Sequence, residues 1–489
     1  MMTENAVWHR NFAELDIGQE IYALAAEIYP ICRSITGKGV RDTLSFLRQH
    51  IELTTHEIAT GTKVFDWQIP REWTIRDAWI KDETGRKIID FAASNLHVLN
   101  YSTPVHLKLP LAELKAHIFT LPDQPDLIPY RTSYYESRWG FCMAHNQLQN
   151  LKDGIYEVLI DSDLSKGHLS YGEYLLRGES REEVLLSAHI CHPSLANDNC
   201  SGLALLTFLA KALGGRKTHY TYRFIFAPGT IGAIAWLAQN EQRVGRIKHG
   251  LIVTCVGDRG GPSYKKSRRG DAAIDRAMTH VLRHCGGAPE VSDFEPYGYD
   301  ERQYCSPGFD LPVGLFQRSR FGTFPEYHTS ADNLDFIRPG YLAESFHAIW
   351  SVLAILEGDA LPRSTMPKCE PQLGRRGLYS SIGGDKDAPA RNMALLWVLN
   401  QADGKHSLLE IAERSKMPFE VIAQAARRLQ AKGLVEGVGP EPLQLLKRSQ
   451  AYAKSGQPAS RSETTAGFSG QSIPNEGSSN LTPLAAAGS

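Results

Sequence analysis

The chain has 489 residues, enough for two or three domains with a large core. Its formal net charge is -1, with 53 Lys and Arg against 54 Asp and Glu, so no global field draws it to nucleic acid or anionic lipid. No apolar run approaches the ~20 residues that a membrane helix needs, so no membrane-spanning helix is expected. The opening residues carry no apolar stretch of leader type. The eight cysteines are scattered without a Cys-x-x-Cys pair. Together these read as a cytoplasmic protein with reduced thiols, not a disulfide framework or a cysteine zinc site.

In chain order, residues from Ile17 to about Ile51 read as two helices with a break at Arg33–Gly39. From Val64 to Tyr156, β-type segments such as Trp73–Lys81 and Lys87–Phe91 alternate with Pro- and Asp-rich turns, the pattern of a small β-rich insertion. From Glu183 to about Leu356, strands and helices alternate. The predicted strands are Glu183–Ile190, Tyr222–Pro228, Gly250–Val256 and Pro312–Arg318. The predicted helices lie near Ser201–Leu213, Thr230–Gln239, Ala272–Cys285 and Gly340–Leu356. That alternation argues for an α/β fold with a mainly parallel sheet sandwiched by helices. After Pro362 the chain is loop-like to about Pro389. Three short helices follow: Asn392–Gln401, Ser407–Ser415 and Pro418–Ala431. Lys432–Glu436 is the start of a wing strand. The expected domains are 15–63 with 157–362, an insertion at 64–156, a winged helix at 390–440 and a disordered Ser/Gly/Ala/Pro/Thr-rich tail at 448–489.

Two loops carry the chemistry. In the first, His189 ends a buried strand and Asp198, with Asn199, stands where a helix starts. In the second, Glu326, His328, Asp332 and Asp335 lie between a strand and the last long helix. Both loops fall at the carboxyl edge of the sheet, where sites form in open α/β folds. Two neutral imidazoles and a carboxylate, His189, His328 and Asp198, make a zinc ligand set with an open position. Asp332 and Asp335 are suited to orienting or capping rather than binding. His192 is either a ligand or a turn residue before Pro193. Cys191 and Cys200 read as small buried hydrophobes. The basic run Lys265–Gly270 reads as a solvated loop or a contact for an anionic substrate. The aromatic stretch Tyr134–Phe141 reads as core or as a face for sugar or peptide ends.

The order of these motifs resembles the zinc aminopeptidases of metallopeptidase clan MH. More closely it resembles the bacterial aminopeptidase-like proteins with an inserted β domain and a C-terminal winged helix, often linked with polysaccharide biosynthesis. The resemblance spans roughly residues 15–440. It implies that His189 is the first ligand, Asp198 the metal-bridging carboxylate and His328 the last ligand. In two places the chain departs from the pattern. Where the clan has a Glu-Glu pair, one base and one ligand, this chain reads Phe226-Ala227-Pro228-Gly229. The later acidic ligand is represented at best by Asp258, beyond the end of its strand.

A general base contributes typically 10²–10⁴-fold, and glycine cannot supply one. Glu301 and Glu326 are the carboxylates that could substitute as catalytic groups. The expectation is a zinc-dependent aminopeptidase-like hydrolase of weak or altered activity, holding one zinc rather than two. Its substrate would be a small peptide, amide or amino-sugar-linked compound. A glutamate placed at Gly229 is expected to raise hydrolysis if the backbone can carry it. The alternative is a non-catalytic metal-binding sensor with a degenerate site. The winged helix is nearly neutral: Arg427, Arg428 and Lys432 are offset by Glu410, Glu413, Glu420 and Glu436. It is therefore expected to pack on the rest of the chain or on a second copy, as a homo-oligomer, and not to hold DNA. No membrane partner is expected.

Overall fold

The computed structural model describes residues 17–285, 288–379, 388–439 and 443. The tail expected at 448–489 lies outside the described residues. Four parallel strands form the centre of an eight-stranded sheet, in the order Thr221–Ala227, Glu183–His189, Ile247–Val253, Val313–Gln317. Thr54–Ala59 and His168–Leu176 extend one side, and Ser263–Lys265 and Glu290–Ser292 the other. The flanks are mixed: the pairings on the first side and that of Ser263–Lys265 with Val313–Gln317 are antiparallel, and Glu290–Ser292 pairs parallel with Ser263–Lys265. The fold is thus α/β with a parallel centre and a mixed periphery.

Every residue of Glu183–His189 and Thr221–Ala227 is buried, which is why they read as largely apolar runs, with the charges of Glu183 and Arg223 paired to each other. The two-residue period of a strand still sorts them. Val184, Leu186 and Ala188 join Tyr222, Phe224 and Phe226 in a core shared with the helices Ile17–Ile28, Gly202–Leu213 and Pro339–Gly358. Leu185, Ile225 and Ile252 face the opposite core, with Trp236 of the helix Ile231–Asn240 and with insertion residues such as Val158 and Phe141. Trp236 is 1% exposed, and truncating such a side chain to alanine costs roughly 3–5 kcal/mol.

The insertion is a four-stranded antiparallel sheet in the order Lys87–Asp90, Glu72–Lys81, Ile155–Ser165, Val105–Pro110. Its expected boundary at 156 is corrected: the strand beginning at Ile155 runs on to Ser165. That strand buries Tyr156, Val158 and Ile160 while pairing on both sides within the insertion.

The winged helix contains Ala388–Gln401, Leu408–Ser415 and Phe419–Gln430. A capping box starts the second helix: the Ser407 hydroxyl accepts from the Glu410 amide, and the Glu410 carboxylate accepts from the Ser407 amide. Val435–Glu436 pairs with Arg363–Ser364, so the unit begins well before 390, through a strand too short to read from sequence. It packs on the helix Ala273–His284. Arg276 forms ion pairs with Glu410 and Glu413, and the Phe419 amide donates to His280 Nε2 at 3.0 Å. No described helix is long and apolar enough to cross a membrane.

Candidate metal centre

The strand Glu183–His189 carries His189 to the carboxyl edge of the sheet, and the next loop brings Asp198 back to it. His189 Nε2 lies 2.8 Å from Asp198 Oδ1, and His328 Nε2 lies 3.0 Å from Asp198 Oδ2. His192 joins them, with Nδ1 3.7 Å from Asp198 Oδ1. One donor atom from each of His189, His192 and Asp198 falls within 4.8 Å of the others. The three sequence-predicted ligands are therefore brought together, and His192 is added.

The Asp198 loop is held by its own sequence. Asn199 donates from Nδ2 to the His189 and Val253 carbonyls and accepts the Gly202 amide at Oδ1. Ser201 Oγ donates to the Asn197 carbonyl and accepts the Val256 amide. A β-carbon at Gly202 would stand 2.6 Å from the Val253 carbonyl, so only glycine lets this helix start against that strand. Asp332 accepts the Asn197 amide at 2.6 Å and the Asp198 amide at 3.0 Å. Burial raises its carboxyl to about 8.

Three groups from distant segments complete the frame. The buried Arg33 donates to the carbonyls of His192, Pro193 and Ile28. In the insertion, the Tyr130 amide donates to the His328 carbonyl, and the Tyr130 ring stands edge-on to His192 and His328. His328 has a φ of 55°, a left-handed conformation held by that insertion contact and by the neighbouring bond from the Ser330 amide to the Ile128 carbonyl. Tyr299 packs its ring 4.2 Å from the His189 ring. Burial first, and the neighbouring Cys191 next, push the Tyr299 phenol far above its usual range, so it remains a neutral donor.

Electrostatics suit a cation. Burial opposes ionisation of Asp198, but His192 and the hydrogen bonds from His189 and His328 hold its carboxyl well below the usual range. Burial pushes the His192 imidazole well below its usual pKa, and among the described residues its enclosed Nδ1 has no hydrogen-bond partner. An orphaned imidazole lone pair beside a buried carboxylate and a second imidazole is the donor set of a divalent transition metal, zinc above all.

The other sequence candidates lie elsewhere. Asp258 accepts from Asn197 Nδ2, the Ser319 hydroxyl and amide, and the Gly260 amide, so it braces the loop from behind. Glu301 is fully buried, 2.7 Å from Lys265 Nζ, and both its oxygens accept the Tyr299 amide. Its carboxylate is committed to fixing Tyr299, and Lys265 of the basic run is committed to Glu301. Glu326 is partly exposed, and its backbone carbonyl serves the Thr329 turn. A β-carbon at Gly229 would lie 2.0 Å from Tyr299 Cε1, so a glutamate there requires the Tyr299 ring to move. The condition attached to a carboxylate at 229, that the backbone carry a side chain, is not met with the ring in place.

A family described as a domain of unknown function, DUF4910, matches residues 22–359, and a winged helix-turn-helix family matches residues 360–437. A Clostridium acetobutylicum protein, provisionally named a polysaccharide biosynthesis protein with aminopeptidase-like domain, is 52% identical over 414 residues. The match covers 85% of this chain and 95% of that protein. A crystal structure from the same organism, provisionally assigned as a peptidase, superposes with a TM-score of 0.83 at 49% identity, covering 87% of this chain and 98% of the other. The zinc aminopeptidase BSAP from Bacillus subtilis superposes at 0.51 with 12% identity, covering 70% and 94%. At that identity the likeness is one of fold alone.

Proposed function

The chain belongs to the DUF4910 family and carries an aminopeptidase-like α/β fold with a C-terminal winged helix, and from that premise we propose that it is a zinc-dependent hydrolase of a small amide. One observation carries the reading: the buried, unpartnered His192 Nδ1 beside the ionised Asp198 and the His189 and His328 rings. In this reading His189, Asp198 and His328, joined by His192, hold a single zinc. The carboxylate of Asp258, which a second ion would need, is already engaged by four hydrogen bonds. A zinc ion there would polarise a carbonyl and lower the pKa of bound water.

The chain's own groups would do the rest. The neutral Tyr299 phenol, 3.2 Å from Cys191 Sγ, would donate to an oxygen that gains charge. Glu326, two residues from His328, is the remaining candidate to take a proton. Asp332 and Arg33 would keep the loop 192–198 rigid. The substrate class would be a small peptide, an amide or an amino-sugar-linked amide. The last accords with the name of the Clostridium relative.

A second reading is favoured by a specific observation: Tyr299 fills the space above Gly229. The site would then bind metal and ligand without turnover, as a sensor. The test is metal content of the full chain purified without chelator, together with turnover of aminoacyl and N-acyl amino-sugar substrates. Stoichiometric zinc with turnover supports the hydrolase. Stoichiometric zinc without turnover on any amide supports the sensor. A metal content unchanged in a His189→Ala, His328→Ala variant refutes both.

A further inference from the structure

At the sheet edge opposite His189, where Glu183–His189 and Thr221–Ala227 begin and His168–Leu176 ends, lies a cavity of about 380 Å³. Arg177, Arg181, Arg223, Arg243 and Arg246 line it. Arg223 is buried and committed: its guanidinium is bidentate to Glu183, at 2.6 and 2.9 Å, and ion-paired with Glu173. Those pairings use both carboxylates, and Glu183 is the one acidic side chain lining the cavity. The other four arginines are exposed, and among the described residues none forms an ion pair. Beside them Lys248 and Glu182 face each other at 4.0 Å. The crowding is felt within the cluster. Burial first, then Arg243 and Arg246, lower Arg223 to about 10.

We propose that this cavity binds a compact, multiply charged oxyanion of the phosphate type, gripped by Arg177, Arg181, Arg243 and Arg246 above the paired Arg223 and Glu183. Planar guanidinium forks match phosphate oxygens in bidentate geometry, and here they approach from two different loops. A single carboxylate would leave most of the cluster uncompensated, whereas a diphosphate meets several forks at once. The seven residues from Glu183 to His189 set the cavity roughly 20 Å from the metal centre. The proposal therefore stands apart from the hydrolase reading.

The experiment is calorimetric titration of the metal-free full chain with inorganic pyrophosphate, and with orthophosphate for comparison. Saturable binding that weakens as salt rises is expected, with pyrophosphate the tighter. Arg243→Ala with Arg246→Ala, and separately Arg177→Ala with Arg181→Ala, should each weaken it at least about tenfold. The two pairs lie on different loops, so a folding failure in one leaves the other to decide. A Lys108→Ala, Lys115→Ala control and a His189→Ala, His192→Ala variant should bind as the wild type does. The proposal is overturned by absence of saturable binding, by wild-type affinity in a folded arginine variant, or by an equal loss in the lysine or histidine variant.

Discussion

The ring of Tyr299 rests against the α-carbon of Gly229 so closely that any β-carbon at 229 would lie 2.0 Å from Tyr299 Cε1. The same ring lies tilted with its centre 4.2 Å from that of His189, and its hydroxyl meets Cys191 Sγ. Glycine, tyrosine and the first histidine of the candidate metal centre are thus one packed unit. The missing side chain at 229 is what admits the aromatic ring.

Gly229→Ala is therefore expected to destabilise the protein by about 1–3 kcal/mol, the usual cost of overpacking. Tyr299→Ala in the same chain should recover part of that loss, because the two residues touch and their effects cannot add. Urea unfolding of the single and double variants measures the coupling. A Gly229→Ala protein as stable as the wild type would show that the ring can move aside. Gly229→Glu is expected to give no gain in hydrolysis.

The Asp332 carboxyl holds the amides of Asn197 and Asp198, while its backbone carbonyl accepts the neighbouring Ala196 amide. Asp332→Ala should thus leave every proposed ligand in place while loosening the loop that presents Asp198. Removing a support of this kind typically costs 10–100-fold in metal affinity. Competition with a chromophoric chelator would read the loss. Wild-type zinc affinity in the variant would mean that the other supports of the loop, among them Arg33, Asn199, Ser201 and Asp258, suffice to fix it.

Much of this centre was legible because it is local. His189 ends an apolar run, and Asp198-Asn199 precede a helix start, so strand end and loop could be read within one window. His328 followed from the same logic on a second loop. What could not be read is long-range. Arg33 meets His192 across 159 positions, and Tyr299 meets Cys191 across 108. Glu301 looked free for catalysis until Lys265, distant in sequence, was seen to take it. The insertion boundary failed for a similar reason. Ile155–Ser165 alternates like any strand, and only its partners at Glu72–Lys81 and Val105–Pro110 assign it to the smaller sheet.

Asp300 is fully buried, and among the described residues neither of its carboxylate oxygens has a hydrogen-bond partner. Burial, reinforced by Glu301, raises its carboxyl well above 3.8, so the folded state favours the neutral acid. A raised acid contributes stability that is full below the unfolded value and fades as pH rises towards the folded one. Asp300→Asn keeps the shape without the charge. It should raise the melting temperature at pH 8 relative to the wild type and change it little near pH 4. A lower melting temperature at pH 8 would contradict a neutral Asp300.

The docking of the winged helix should depend on pH through His280. Its Nε2 accepts the Phe419 amide at 3.0 Å, and it is 4% exposed. Burial foremost, then His284 and Arg283 on the same helix, lower its pKa to about 4. From the winged helix, Glu410 and Glu413 face this helix but pair with Arg276. An imidazolium cannot accept a hydrogen bond, so protonation both charges a buried ring and orphans the Phe419 amide. The sign follows from linkage. With an unfolded value near 6.5 and a folded value near 4, the unfolded or undocked state binds more protons between them. The His280 contribution is then complete above about pH 6.5, declines as pH falls, and is lost below about pH 4. Leaving the amide unpaired costs roughly 1–3 kcal/mol. Hydrogen exchange at Phe419 and its neighbours should accelerate on going from pH 7 to pH 4.5, after correction for intrinsic rates. His280→Gln, which keeps an acceptor that does not titrate, should flatten that dependence. An unchanged pH profile in His280→Gln would assign the acid sensitivity to the Arg276 ion pairs instead.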